Sequence, residues 1–249
     1  IRQLFERQRL SFEPRGKGQL QCFLGELKAF SSAIPIGKTM EHQFDLLGSG
    51  WTKVAGSPDI SQISPGNRIR SAAIRAMIDF DYSPIDWQLD FKSGYRWRED
   101  CLSGTLRYGH EPSVDVKVPW ELARMQHLPW LGISGDEEPA REFRNQVLDF
   151  SAANPPGYGV NWLCTMDVAI RAANILMTYD LFVAQGKKLD EAFHSELLAL
   201  IMAHGKHIMY NLEWHDVHRG NHYLADIVGL LFVAAYLPKT KQSYTWLTF

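Results

Sequence analysis

Long apolar runs are missing from this chain. Its most hydrophobic stretch, Ile227 to Leu237, is too short to cross a bilayer as a helix, so membrane insertion is not expected. Cysteine is scarce: Cys22, Cys101 and Cys164 are the three present. An odd number at wide spacing excludes a disulfide framework and a cysteine-based zinc motif. A surplus of one charge is also missing. Lys and Arg number 26 against 28 Asp and Glu, a net charge of −2. That balance carries no bulk footprint for nucleic acid, and a basic site for an acidic ligand has to be local. No repeat of fixed period is visible.

What is present suits a globular protein. Of the 249 residues, 45% are hydrophobic and 22% charged, enough for a sizeable core in one large domain or two small ones. The chain opens at Ile1 with no signal peptide and closes at Phe249 without a terminating element, so it reads as a portion of a longer protein.

The composition changes along the chain. Residues 1–110 are rich in Gly, Pro and Ser, with short apolar pieces such as Phe44-Asp45-Leu46-Leu47 and Asp86-Trp87. They read as an irregular N-terminal arm with short helices and strands. Residues 111–249 read as helical. Pro119 is expected at a first helical position, where its missing N–H costs nothing. Trp120, Ala123, His127, Leu128 and Leu131 share a face that breaks near Pro129. Ala140, Phe143, Val147 and Phe150 mark an amphipathic helix that ends before Pro155. Further helices are expected over about 161–184, 189–209 and 221–237. Short connections between them predict an all-α array of antiparallel hairpins, a pattern that a ring of hairpins also satisfies.

Two places concentrate polar chemistry. On the helix from Asn161, the residues Asp167, Arg171, Asn174 and Thr178 fall on one face of an otherwise apolar surface. Buried, such a stripe needs internal pairing, and an Asp167–Arg171 pair is one way to supply it. Exposed, it is a groove wall. The second place is Arg219-Gly220-Asn221-His222, at the mouth of the apolar last long helix. Asn221 is a natural helix cap. The same position offers free backbone N–H groups and a partial positive charge to a carboxylate, with Arg219 beside it. His222 can exchange a proton near neutral pH. His204, His207, His215 and His218 lack a carboxylate at metal-motif spacing, so no metal or other cofactor is expected.

These segments resemble the heparinase II/III-like polysaccharide lyases, which include alginate lyases. The resemblance rests on Arg219-Gly220-Asn221-His222-Tyr223-Leu224 with Gly229-Leu230-Leu231-Phe232, on Lys117-Val118-Pro119-Trp120-Glu121, and on Asn161-Trp162 with Met166-Asp167 through Asn174. It runs from about Phe44 to Pro238. It implies an incomplete α/α toroid followed by a C-terminal β-sandwich domain, and β-elimination at a uronic acid. Asn221 would then neutralise the uronate carboxylate, with His222 as a second donor or proton-transfer group. Arg171, Arg219, Trp162, Asn161, Glu121 and Trp120 become candidate substrate contacts. The implied partner is an acidic polysaccharide or oligosaccharide, in a periplasmic or secreted setting that the residues themselves do not specify.

The family's tyrosine base, in a later Glu-x-Ser-x-x-Tyr-His-like segment, has no match here, since Tyr244 sits in a different context. The 249 residues alone are therefore expected to be inactive. Two other readings stand beside this one. A glycoside hydrolase would draw a carboxylate pair from Glu121, Asp167 and Glu213. A non-catalytic glycan-binding or biosynthesis-cluster protein would use Trp120, Trp162 and Trp214 as stacking platforms.

Overall fold

The computed structural model describes residues 34–57, 59, 61–216, 220–238 and 240–249. The fold is all-α, as the hydrophobic periodicity predicts. Residues 1–33 of the expected arm lie outside the described residues. The rest of the arm carries α1 (Ile36–Met40), α2 (Arg68–Arg75) and two minimal antiparallel pairs. One pair is β1 (Gln43–Phe44) with β2 (Thr52–Lys53), and the other is β3 (Leu89–Asp90) with β4 (Tyr95–Arg96).

Among the described residues seven α-helices follow: α3 (Lys117–Ala123), α4 (Leu128–Ser134), α5 (Glu137–Ala153), α6 (Thr165–Ala184), α7 (Glu191–Tyr210), α8 (Asn221–Tyr236) and α9 (Lys241–Thr248). Local chemistry explains several boundaries. The Asp190 side chain accepts from Phe193 N at 2.9 Å and starts α7. Thr240 and Ser243 form a reciprocal capping box at the head of α9. Glu137 and Glu138 lie in the first turn of α5, where the helix dipole favours negative charge.

Prolines fall differently from expectation. Pro119 is the third residue of α3, not the first. The cost is still nil, because that N–H also lacks an intrahelical acceptor. The break expected near Pro129 falls at Met125, which takes a left-handed φ of 56° between α3 and α4. Pro129 itself sits in the first turn of α4.

Helix α6 is central. It packs most extensively against α8 and then α4, and it also touches α5 and α7. Small residues permit the closest approaches. A Cβ on Gly229 of α8 would lie 2.5 Å from Ala169 Cβ and 2.7 Å from Ala169 Cα on α6. A Cβ on Gly132 of α4 would meet Leu181 at 3.0 Å.

One apolar cluster takes in Phe44, Ile74 and Trp87 together with Phe143, Ile175, Val233 and Trp246, so the core runs without a break across residue 110. Buried polar groups fasten the front segment to α5. Asp149 accepts from Ile85 N at 3.0 Å and from Trp87 Nε1 at 2.9 Å. His42 and Glu142 bond at 2.7 Å. Among the described residues, no helix is long and apolar enough to cross a membrane.

The α6–α8 contact sets a clear expectation for Gly229→Ala. The added methyl meets backbone as well as a side chain, so the helices must separate. Overpacking of this kind costs about 1–3 kcal/mol. Chemical denaturation should show a loss in that range, and an unchanged midpoint would rule out the close approach.

Candidate functional site

Helix α8 begins at Gly220, whose backbone is extended (φ −85°, ψ 175°) and serves as the N-cap residue. Asn221 is thus the first residue of the helix rather than its cap, and among the described residues no side-chain cap bond forms at this end. That corrects the expectation for Asn221. Its exposed amide is not used on the helix's own N–H groups. The nearest partner of Nδ2 is the soft sulfur of Met166, at 3.9 Å. That donor remains on the surface, and the first-turn N–H groups have no intrahelical acceptors.

His222 is held from one side. Its Nδ1 lies 3.1 Å from Glu213 Oε1. The other oxygen of Glu213 accepts Met166 N at 2.8 Å, in the first turn of α6. The Cys164 thiol approaches the same oxygen at 3.7 Å. The Glu213 backbone N–H donates to Asp226 Oδ2 at 2.8 Å. Asp226 lies one turn beyond His222 on α8. The head of α6 thus gives this carboxylate a backbone donor, and α8 gives it the His222 side chain. Negative charge is favoured at such a point.

Burial raises the Cys164 thiol well above its ordinary range, with the Asp167 charge adding to it, so this is an inert thiol. The ligand atoms of Cys164, Glu213 and His222 all lie within 4.8 Å of one another, close enough to surround a metal ion. Cys164 and His222 are each already accounted for by a contact to the Glu213 carboxylate, which Met166 N also satisfies.

The polar stripe on α6 turns inward. Asp167 does not pair with Arg171. Its Oδ1 accepts from Arg124 Nε at 2.5 Å, and Arg124 also holds Glu121. Arg171 is 0% exposed. It donates to Ala123 O at 3.2 Å, to Asn161 O at 3.1 Å and to His204 Nε2 at 2.9 Å. Its guanidinium lies 4.4 Å from the Phe150 ring centroid and 5.3 Å from that of Trp162. Asn174 Nδ2 donates to Arg124 O at 2.8 Å.

The reason for this pairing is the early stop of α3. Its last carbonyls lack helical partners, and α6 supplies the missing donors. Burial pulls the Arg171 pKa down to about 9. Burial likewise pulls His204 well below its usual value, with the Arg171 charge adding to it. His204 therefore stays neutral, donating Nδ1–H to Leu200 O and accepting at Nε2.

The sequence-derived candidates thus separate into two groups. Asn221 and His222 stand at the surface, with Glu121 half-buried against Arg124. Asn161 and Trp162 are buried with Arg171, and Trp162 Nε1 bonds to Asn154 O at 3.0 Å. These three are internal in the structure, so they fit a supporting role rather than a groove wall. Trp120 is half-buried, donating to Val160 O at 2.9 Å. Arg219 lies outside the described residues. Sequence reasoning missed Asp226 and the role of Glu213. Asp226 was findable, being an acidic residue one helical turn from His222 on an apolar helix. Glu213 was not, since only the path of the loop delivers it.

Residues 68–249 match the family described as Heparinase II/III N-terminus. The chain belongs to that family. It is 25% identical over 207 residues to a heparin-sulfate lyase of Pedobacter heparinus, an alignment covering 77% of this chain and 29% of that protein. The chain thus spans less than a third of the length of this relative. No solved structure matches it.

Asp226 makes the site sensitive to pH. It is fully buried, and Oδ1 has no partner. Burial raises its pKa from 3.8 to about 6, partly countered by the Glu213 N–H and reinforced by the Glu213 charge. A raised carboxyl stabilises the fold below its unfolded pKa and loses that contribution as pH rises through the folded value. Asp226→Asn keeps an acceptor for Glu213 N and removes the titration. The variant should match the wild type near pH 4, gain on it as pH rises towards about 6, and hold a constant margin above that. Denaturant midpoints across that range test this, and parallel curves would refute it.

Proposed function

We propose that this chain carries the carboxylate-binding part of a polysaccharide lyase centre, cleaving uronic-acid-containing glycans by β-elimination on an incomplete α/α toroid. The carrying observation is the state of Asn221. It stands at the head of α8 with an amide not consumed by capping, beside a braced His222, inside the region that matches the heparinase family. The Asn-His pair, the order of the matching helices and the likeness to a named heparin-sulfate lyase support the same reading.

The chemistry follows from acidity. In the elimination the C5–H bond breaks, its proton passes to a base, and a C4=C5 double bond forms. The C4–O4 bond breaks, and O4 leaves with a proton. The C5 proton is only weakly acidic while the adjacent carboxylate keeps its full charge. Asn221 Nδ2 and the free N–H groups of α8 are donors suited to that carboxylate, and they stabilise the enolate-like intermediate more than the ground state. The remainder of the protein, including a β-sandwich domain, would complete the cleft and supply the tyrosine that shares the proton transfers with His222. A periplasmic or secreted setting fits a substrate of this kind.

The test is product chemistry with the full-length protein. An acidic polysaccharide should yield an unsaturated uronide that absorbs in the ultraviolet. Asn221→Ala should lower kcat by on the order of 10²- to 10³-fold, the usual cost of one donor to a developing anion, with the fold retained by circular dichroism. Undiminished turnover would remove Asn221 from the reaction. New reducing ends without ultraviolet absorbance would indicate a hydrolase instead.

A further inference from the structure

We infer that Glu213 is a positioning residue that locks His222 as its Nδ1–H tautomer, making Nε2 the atom that exchanges a proton with substrate. This deepens the proposed function and rests on it. The residue types alone leave His222 two roles, second donor to the carboxylate or proton-transfer group. The geometry separates them.

A carboxylate oxygen can only accept, so the 3.1 Å contact from Glu213 Oε1 requires the hydrogen on Nδ1. The neutral ring then carries a lone pair on Nε2 and has no proton there to offer a carboxylate. Asn221 is left as the donor, and His222 becomes an acceptor that returns the proton later.

Glu213 is well suited to enforce this because it cannot easily turn. Oε2 is tied to Met166 N at 2.8 Å and its own N–H to Asp226 at 2.8 Å. Those two bonds attach the loop to α6 and α8 at once. They aim Oε1 at the imidazole edge, as a carboxylate fixes the tautomer of a general-base histidine elsewhere. The side chains of Glu213 and His222 are 30% and 45% exposed, so the pair borders solvent.

Two measurements test the proposal. The first needs no turnover: long-range ¹⁵N correlation spectra of the imidazoles at mildly alkaline pH, in EDTA. The wild type should show His222 with a protonated Nδ1 and a bare Nε2. In Glu213→Gln, the amide oxygen keeps Met166 N–H and the NH₂ faces Nδ1, so the tautomer should invert. A wild-type ring bare at Nδ1 would overturn the proposal, even if the variant failed to fold. So would a Glu213→Gln spectrum with no inversion. After removal of the EDTA, a His222 signal that shifts with stoichiometric Zn²⁺ would overturn it in favour of a metal site with Cys164.

The second measurement uses the full-length enzyme. Glu213→Gln should lower kcat by about 10²-fold with KM within twofold, and Glu213→Asp should recover part of the loss. Equal loss in both variants would make Glu213 merely structural. If Asn221→Ala has no effect while the tautomer inverts as expected, the lyase reading fails and the positioning geometry stands.

Discussion

A fully buried guanidinium organises this protein. Arg171 reaches the last carbonyl of α3, the carbonyl of Asn161 in the turn before α6, and the imidazole of His204 on α7. No carboxylate meets it directly. The charge is carried instead by three hydrogen bonds and two aromatic faces, Phe150 and Trp162. Arginine suits such a place because its delocalised ion is weakly hydrated and lies flat on rings. Taking away one buried partner would leave several unpaired groups, which is costly in a low-dielectric interior. Three separate segments are therefore held in one geometry, with α6 as their common support.

That support reaches the candidate site. The first turn of α6 presents Met166 N to Glu213, and α8 packs against α6 through Gly229. Residues 211–216 leave the end of α7 and pass between the two helix heads. Their one anchored carboxylate joins α6 to His222. The precision of the Asn-His pair thus depends on how closely α6 and α8 approach, and so on a glycine far from the chemistry. Asp226 adds a buried acid from below, which couples the position of the loop to its ionisation.

Much of this was legible along the chain. The all-α class followed from the three- and four-residue periodicity, and most helix limits fell within a few residues of expectation. Asn221 and His222 stood out because polar residues are rare at the head of so apolar a helix. Other readings failed for identifiable reasons. Asp167 and Arg171 share a face at a spacing that allows pairing, but Arg124 competes for the carboxylate and the end of α3 competes for the guanidinium. Asn221 has the residue type of a cap, yet the chain enters α8 one residue earlier, at Gly220. Trp162 and Asn161 carry the family pattern and lie inside, where an indole and an amide bond to backbone.

By itself the sequence determined which segments are helical, which faces are apolar, and that an Asn-His pair opens an apolar helix. These are local properties, set by neighbours three or four positions away. Tertiary structure alone decided the partners: Arg124 for Asp167, His204 for Arg171 and Glu213 for His222. Each joins residues 9–43 positions apart. Such pairs are set by the path of the loops and by competition among donors for the same few acceptors, and neither is written in periodicity or residue type.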